Sequence, residues 1–223
     1  RLIVDPGPAV VDDDPDGGVG DDPVVLACRQ DEHGFRQERP LKAVAELDYI
    51  HGFSKDEQNR LYSQARFLEP MVFADVDFSG RRRVLEVGCG VGAQTQILLE
   101  RFPGISVQAV DLSTAQVERA SEHLREPIAA GRVRVDLADA TRLPFPDASF
   151  DAAFICWVLE HTPDPVAVLR ELRRVLSPDA AVFGIEVMNA SFFLYPTCPA
   201  TMAYWDALNR GQQAVGGDPF VGA

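Results

Sequence analysis

Glu86, Gly88, Gly90 and Gly92 fall at alternate positions in Val84-Leu85-Glu86-Val87-Gly88-Cys89-Gly90-Val91-Gly92. A carboxylate just ahead of three glycines suits a cationic ligand drawn against bare backbone. Each glycine removes a Cβ that would block the approach or forbid the turn. The apolar residues before the glycines read as a strand, and Ala93-Gln94-Thr95-Gln96-Ile97-Leu98-Leu99 after them as a helix. The turn therefore presents its ligand at a helix N-terminus. Gly88, Gly90 and Ala93 also fit the G-x-G-x-x-A register of hydride-transfer dinucleotide sites. Glu86 argues against that ligand, because a carboxylate there repels a pyrophosphate and attracts an amino group.

A second acid lies where chemistry can use it. Ile105-Ser106-Val107-Gln108-Ala109-Val110 ends in Asp111, about 20 residues past the glycines. An acid at the end of the next strand, at that spacing, is placed to accept from ribose hydroxyls. Ser113 and Gln116 form a capping box, so a helix starts directly beyond it. A helix-capping role for Asp111 is the plainer alternative. Further on, Val133-Arg134-Val135-Asp136-Leu137 reads as a third strand, followed by Ala138-Asp139-Ala140. Then comes Leu143-Pro144-Phe145-Pro146-Asp147-Ala148-Ser149-Phe150-Asp151, leading into an apolar fourth strand that ends at Cys156.

Taken in order, E-V-G-C-G-V-G, the strand-end Asp111, Asp139 and the LPF-x-D-x-SFD stretch resemble the class I S-adenosylmethionine-dependent methyltransferases across residues 49 to about 190. The resemblance implies that S-adenosylmethionine binds here and leaves as S-adenosylhomocysteine. It implies that Glu86 and the loop Gly88-Cys89-Gly90-Val91-Gly92 hold the methionine part. Asp111 would take the ribose diol, and Asp139 with Ala140 the adenine edge. Leu112, Gln116, Cys156 and Trp157 would line the same site. Tyr49, ahead of an N-terminal helix, and Gln64, within it, match a segment that folds over the cofactor in relatives. An amphipathic helix resting on the core explains Gln64 equally well.

The fourth strand runs out into Cys156-Trp157-Val158-Leu159-Glu160-His161-Thr162-Pro163-Asp164-Pro165. Reacting groups in an open α/β sheet gather at the carboxyl ends of strands. His161 is the candidate general base there, able to take a proton from a hydroxyl or amine near neutral pH. A structural bond to the following turn is the other reading. The string V-L-E-H-x-x-D-P also resembles the ubiquinone-pathway O-methyltransferases, whose E-x-x-E-H motif binds metal. Trp157 stands where their first Glu stands, so no metal is expected.

These residues need a scaffold. Alternating stretches at 84–87, 93–102, 105–110, 114–126, 133–137, 150–155, 165–176 and 181–187 read as strands and helices in turn. That implies a Rossmann-like, doubly wound, mostly parallel sheet with helices on both faces. Residues 41–190 form the expected cofactor-binding core, with a helical stretch near 41–73 whose Leu61, Ala65, Leu68 and Val72 share a face. Residues 191–223 are aromatic-rich, with a helix around Met202–Leu208, and are expected on the substrate side. Residues 1–40 are acidic and rich in Pro and Gly. Relatives add two more strands after the fifth. Nothing at the C-terminus reads that way, so residues 1–30, with Val24–Cys28 as the closing strand, are expected to supply a hairpin. They would do so within one chain or by strand exchange in a homodimer, a disordered acidic tail being the alternative.

The 223 residues carry a formal net charge of −13 and no Lys/Arg stripe, which disfavours nucleic acid and acidic membrane surfaces. No apolar run is long enough to span a bilayer. The 4 cysteines lack metal or disulfide spacing, consistent with a reducing cytoplasm. The expected function is methyl transfer to an O, N or C nucleophile of a small, secondary-metabolite acceptor. An NAD-dependent oxidoreductase and a cofactor-binding subunit without transfer activity are the alternatives.

Overall fold

The computed structural model describes residues 54–222. Five strands, β1 (Arg83–Val87), β2 (Ser106–Asp111), β3 (Val133–Leu137), β4 (Phe150–Cys156) and β5 (Leu176–Ile185), form one sheet in the order β3-β2-β1-β4-β5. Every pairing is parallel. The chain steps outward from β1 to β3, then returns to lay β4 on the other side of β1. The order therefore reverses between β1 and β4, and the crevice above their carboxyl ends is where an open sheet of this kind takes its ligand.

Among the described residues six helices flank the sheet: α1 (Lys55–Val72), α2 (Ala93–Arg101), α3 (Thr114–His123), α4 (Arg125–Ala129), α5 (Pro165–Val175) and α6 (Pro199–Ala214). Side chains alternate along a strand, so each strand feeds both faces. Val84, Val107, Ala109 and Phe154 join a core with Ala65 and Val72 of α1, Ile97 and Leu98 of α2, and Ala120 of α3. Leu85, Val87, Ala153 and Ile155 point the opposite way, where Val168, Leu172 and Val175 of α5 are buried. Local chemistry fixes the helix starts. Ser54 accepts from Glu57 N–H, Ser113 from Gln116 N–H, and Asp164 from Ala167 N–H ahead of Pro165.

The helix expected over 114–126 breaks in two at Leu124. Pro127 is the reason. It has no N–H to give to the carbonyl four residues back, and its ring crowds that turn. After β5 come a 3-10 turn, Asn189–Ser191, and then α6. Among the described residues the sheet has no sixth or seventh strand. The expected hairpin from residues 1–30, strand exchange through it, and Tyr49 all lie outside the described residues.

Candidate functional site

The glycine loop is pinned to its neighbouring strand. Gly88 and Cys89 donate their N–H groups to Val110 O at 2.8 and 3.0 Å. Gly88, Gly90 and Gly92 have φ of +69°, +52° and +77°, a region that glycine enters without strain. Two of the three are needed by the fold itself. A Cβ on Gly88 would lie 2.3 Å from Val158 Cγ2, and one on Gly92 would lie 2.8 Å from Leu124 Cδ1. A Cβ on Gly90 would meet nothing within 4 Å, so open space lies over that residue.

Glu86 sits beneath the loop, only 2% exposed. Its Oε2 has no hydrogen-bond partner among the described residues, and wholly buried Thr95 lies beside the carboxyl. Burial pushes the Glu86 carboxyl up to about 8; a hydrogen bond from the Thr95 side chain offsets part of this and the Asp111 carboxylate adds to it. A buried acid with one oxygen unpartnered fits a ligand that brings N–H donors and positive charge.

Asp111 ends β2. Its Oδ2 accepts from Gly90 N–H at 2.8 Å and its Oδ1 from Ser113 N–H at 2.9 Å. Burial raises its pKa, while the amides of Ser113, Gly90 and Leu112 pull it back. An ionised carboxylate offers about four acceptor positions, more than these amides fill, so room remains for a ligand hydroxyl. Both the capping and the ligand-binding readings are thus compatible with one side chain. Asp139 is a turn residue, its Oδ1 accepting from Thr141 N–H at 2.8 Å and Thr141 Oγ1 at 2.7 Å. Ala140, beside it, is half-buried.

At the end of β4, Cys156 receives the Gln94 side-chain amide on its sulfur at 3.9 Å. Burial first, then the carboxylates of Glu186, Glu86 and Glu160, push its thiol far above the ordinary range. Cys89 is buried and shifted the same way. Trp157 turns the chain with φ +55°, held by its own N–H on Ile185 O at 2.8 Å. His161 follows in the 3-10 turn Leu159–His161, its Nε2 3.6 Å from Glu160 Oε1 with a quarter of its side chain exposed (25%).

Two candidates stand apart from this group. Gln116 is buried, with its Oε1 accepting from Gln58 of α1 at 3.4 Å, and so serves helix packing. Gln64 is tied to Arg60 on α1. Leu112 is half-buried beside Asp111.

Four residues of the site are not marked as ligand-side groups by the sequence pattern: Thr95, Gln94, Glu160 and Glu186. Glu186 carries a usable signal, an acid just past a strand end like Asp111. Glu160 stands inside the V-L-E-H string. Gln212, which binds Glu160 from α6, carries none. Among the described residues no group of three or more His, Cys, Asp or Glu is set to hold a metal, and no helix is long and apolar enough to cross a membrane.

Comparison with known proteins points one way. Residues 85–184 match the family described as "Methyltransferase domain". The 27-O-demethylrifamycin SV methyltransferase of Amycolatopsis mediterranei is 34% identical over 147 residues, 66% of this chain and 52% of that protein. The chain spans about half, or less, of the length of the first curated relatives it matches. The solved structure of the cyclase SpnF is 30% identical at a TM-score of 0.50, covering 69% of this chain and 58% of that one. A methyltransferase of Aquifex aeolicus shares the fold at a TM-score of 0.54 and 22% identity, with 74% and 89% covered.

Proposed function

The chain belongs, through residues 85–184, to the class I S-adenosylmethionine-dependent methyltransferases, and from that premise we propose that it methylates a hydroxyl or other nucleophile of a small secondary metabolite. The observation that carries this is the buried carboxyl of Glu86, its Oε2 unpartnered, beneath the open face of Gly90. When bound, S-adenosylmethionine supplies an electrophilic methyl on a sulfonium. Glu86 accepts the ammonium, and the bare backbone at Gly90 admits the methionine chain. Asp111 would accept from the ribose hydroxyls at the acceptor positions its amide partners leave open. Asp139 Oδ2 is left over from the Thr141 turn for the adenine amino group. Leu112, Cys156 and Trp157 wall the cleft. His161 would take the proton that the acceptor hydroxyl loses. We place the reaction in the cytoplasm, a setting that suits the three free thiols of Cys89, Cys156 and Cys198.

Two measurements test the reading. Calorimetry should show binding of S-adenosylhomocysteine and none of NADH; the reverse would restore the oxidoreductase alternative. Labelled-methyl transfer should then identify an acceptor among hydroxylated metabolites. The likeness to a protein named a cyclase favours one second reading, a cofactor-binding chain without transfer. Cofactor binding with no labelled product from any acceptor would select it.

Asp111→Ala should weaken S-adenosylhomocysteine by roughly 2–3 kcal/mol, because two ligand hydroxyls lose a charged acceptor. The Gly90 and Ser113 amides lose theirs as well. The melting temperature should therefore fall by an amount matching about 1 kcal/mol, and affinity must be read well below it. An unchanged dissociation constant would remove Asp111 from the site.

Two glycine variants separate fold from binding. Gly90→Ala has room in the protein and carries only the strain of its left-handed φ, roughly 1–2 kcal/mol. It should melt as a folded protein yet lose most cofactor affinity. Gly88→Ala meets Val158 and should lose more stability than Gly90→Ala. Equal affinity of Gly90→Ala and the parent would show that no ligand passes over this residue.

A further inference from the structure

The last turn of α6 closes on Glu160, the neighbour of His161 in the 3-10 turn. Gln212 Nε2 donates to Glu160 Oε2 at 2.8 Å and to Glu160 O at 3.0 Å. Asp218, in the turn that follows α6, donates its N–H to the same carbonyl at 2.8 Å. The approach is tight, since a Cβ on Gly217 would lie 2.5 Å from Glu160 O. Gln212 and Glu160 are only 4% and 8% exposed, so the amide and the acid meet away from water. The other carboxylate oxygen, Oε1, stands 3.6 Å from His161 Nε2.

Docking a helix does not require this pair. An apolar side chain at position 212 would bury there without the cost of desolvating an amide against a carboxyl. The bond does something else. Burial raises the Glu160 carboxyl, and the hydrogen bond from Gln212 draws it back towards the ionised form. The remaining titratable groups near the acid bring it no positive charge. Cys156 ends β4 and Glu186 follows β5. Asp218 turns its Oδ1 to Phe220 N–H, and Asp164 at the start of α5 is committed to Ala167 N–H. His161, once protonated, is a cation within reach of the free end of the carboxylate.

We propose that Glu160 is a positioning residue for His161 and that α6 sets it: Gln212 holds one carboxylate oxygen so that the other faces the imidazole, orienting the ring and stabilising the imidazolium. The proposal rests on the reading of His161 as the base. It gives the C-terminal helix a part in proton transfer, exerted through one buried hydrogen bond. It also accounts for two buried polar side chains meeting where apolar ones would pack.

The test follows the imidazole itself by NMR across pH, a readout that needs no methyl acceptor. His161→Ala assigns its signal among the 4 histidines. Glu160→Gln keeps the shape and an oxygen for Gln212 while removing the charge. The His161 midpoint should fall by about one pH unit, the low end for a carboxylate at this distance from a partly exposed ring. Gln212→Met keeps the length of the side chain and removes the donor. Glu160 then takes a proton more readily, so the midpoint should fall in the same direction and by less. Both variants should hold S-adenosylhomocysteine affinity within about twofold, and a merely structural pair would leave the midpoint where it is. A midpoint that is unmoved or raised in folded Glu160→Gln overturns the proposal, and this variant decides alone if Gln212→Met does not fold. A midpoint unmoved in folded Gln212→Met overturns the part given to α6. A midpoint that falls as expected, with full turnover retained in His161→Ala, supports the pairing and removes the base reading instead.

Discussion

His161→Ala should lower kcat by about 10²–10³-fold while S-adenosylhomocysteine affinity stays within about twofold. The expectation follows from where the ring sits. It lies at the carboxyl end of β4, a quarter exposed, with Nε2 3.6 Å from Glu160 Oε1. That carboxylate stabilises the ring once it takes a proton, and Gln212 holds the carboxylate from behind at 2.8 Å. The size of the loss identifies the acceptor chemistry. An alcohol must be deprotonated as its bond to carbon forms, so it needs the base. A phenolate or an amine needs only placement, and proximity alone can supply most of the rate. The pH–rate profile separates the two cases: loss of its acidic limb in the variant marks a base. A variant with near-full turnover and an unaltered profile would show that His161 serves the turn and not the proton.

The parts of this site that are legible in the sequence are those carried by one stretch of chain. The strand, the alternating glycines and Glu86 lie within nine residues, and Asp111 follows at the spacing set by one helix and one strand. Each has a local geometric cause, so each can be placed without a fold. Glu160 and Glu186 cannot. They share the end of β4 only because the sheet order sets β1 beside β4 and β4 beside β5. Gln212 reaches Glu160 from α6, whose buried positions include Asn209 and Gln212. Helical spacing alone makes Trp205 and Leu208 the core face of that helix. Trp205 instead stacks on Phe192 with ring centres 4.3 Å apart and donates its Nε1–H to Asn189 O.

The LPF-x-D-x-SFD stretch behaves differently. It helps to identify the family, yet its residues brace the scaffold. Arg174 of α5 collects Leu143 O, Phe145 O and Asp147, and Asp151 accepts from Arg82 and Arg83 N–H at the start of β1. A motif can be specific to a fold because it closes the fold.

Between about pH 5 and pH 8 the free protein should become less stable as pH rises, and Glu86→Gln should flatten much of that slope. The Glu86 carboxyl is raised from 4.5 to about 8 in the folded chain, chiefly by burial. Below 4.5 it is protonated in both states and its burial is tolerated. Above that the unfolded chain releases the proton while the folded one keeps it, so the folded state loses ground until pH passes about 8. A tenfold difference in proton affinity between the two states corresponds to roughly 1.4 kcal/mol, so the cost at high pH is on the order of a few kcal/mol. Asp111, Glu160 and Glu186 are shifted the same way and tilt the slope further in that direction. Glu100 and Glu171 are lowered by their arginine partners, and their stabilisation is lost only as pH falls below the usual carboxylate range. They therefore act outside this window. A ligand ammonium reverses the balance, because it pairs with the ionised form of Glu86. Binding of S-adenosylhomocysteine near pH 7 should accordingly release close to one proton, read as a dependence of calorimetric heat on the ionisation enthalpy of the buffer. Glu86→Gln should release fewer protons and bind more weakly, with an affinity that no longer improves toward pH 8. Proton uptake on binding, or a melting temperature that rises from pH 5 to pH 8 in the free protein, would mean that Glu86 does not stand protonated beneath the loop waiting for a cation.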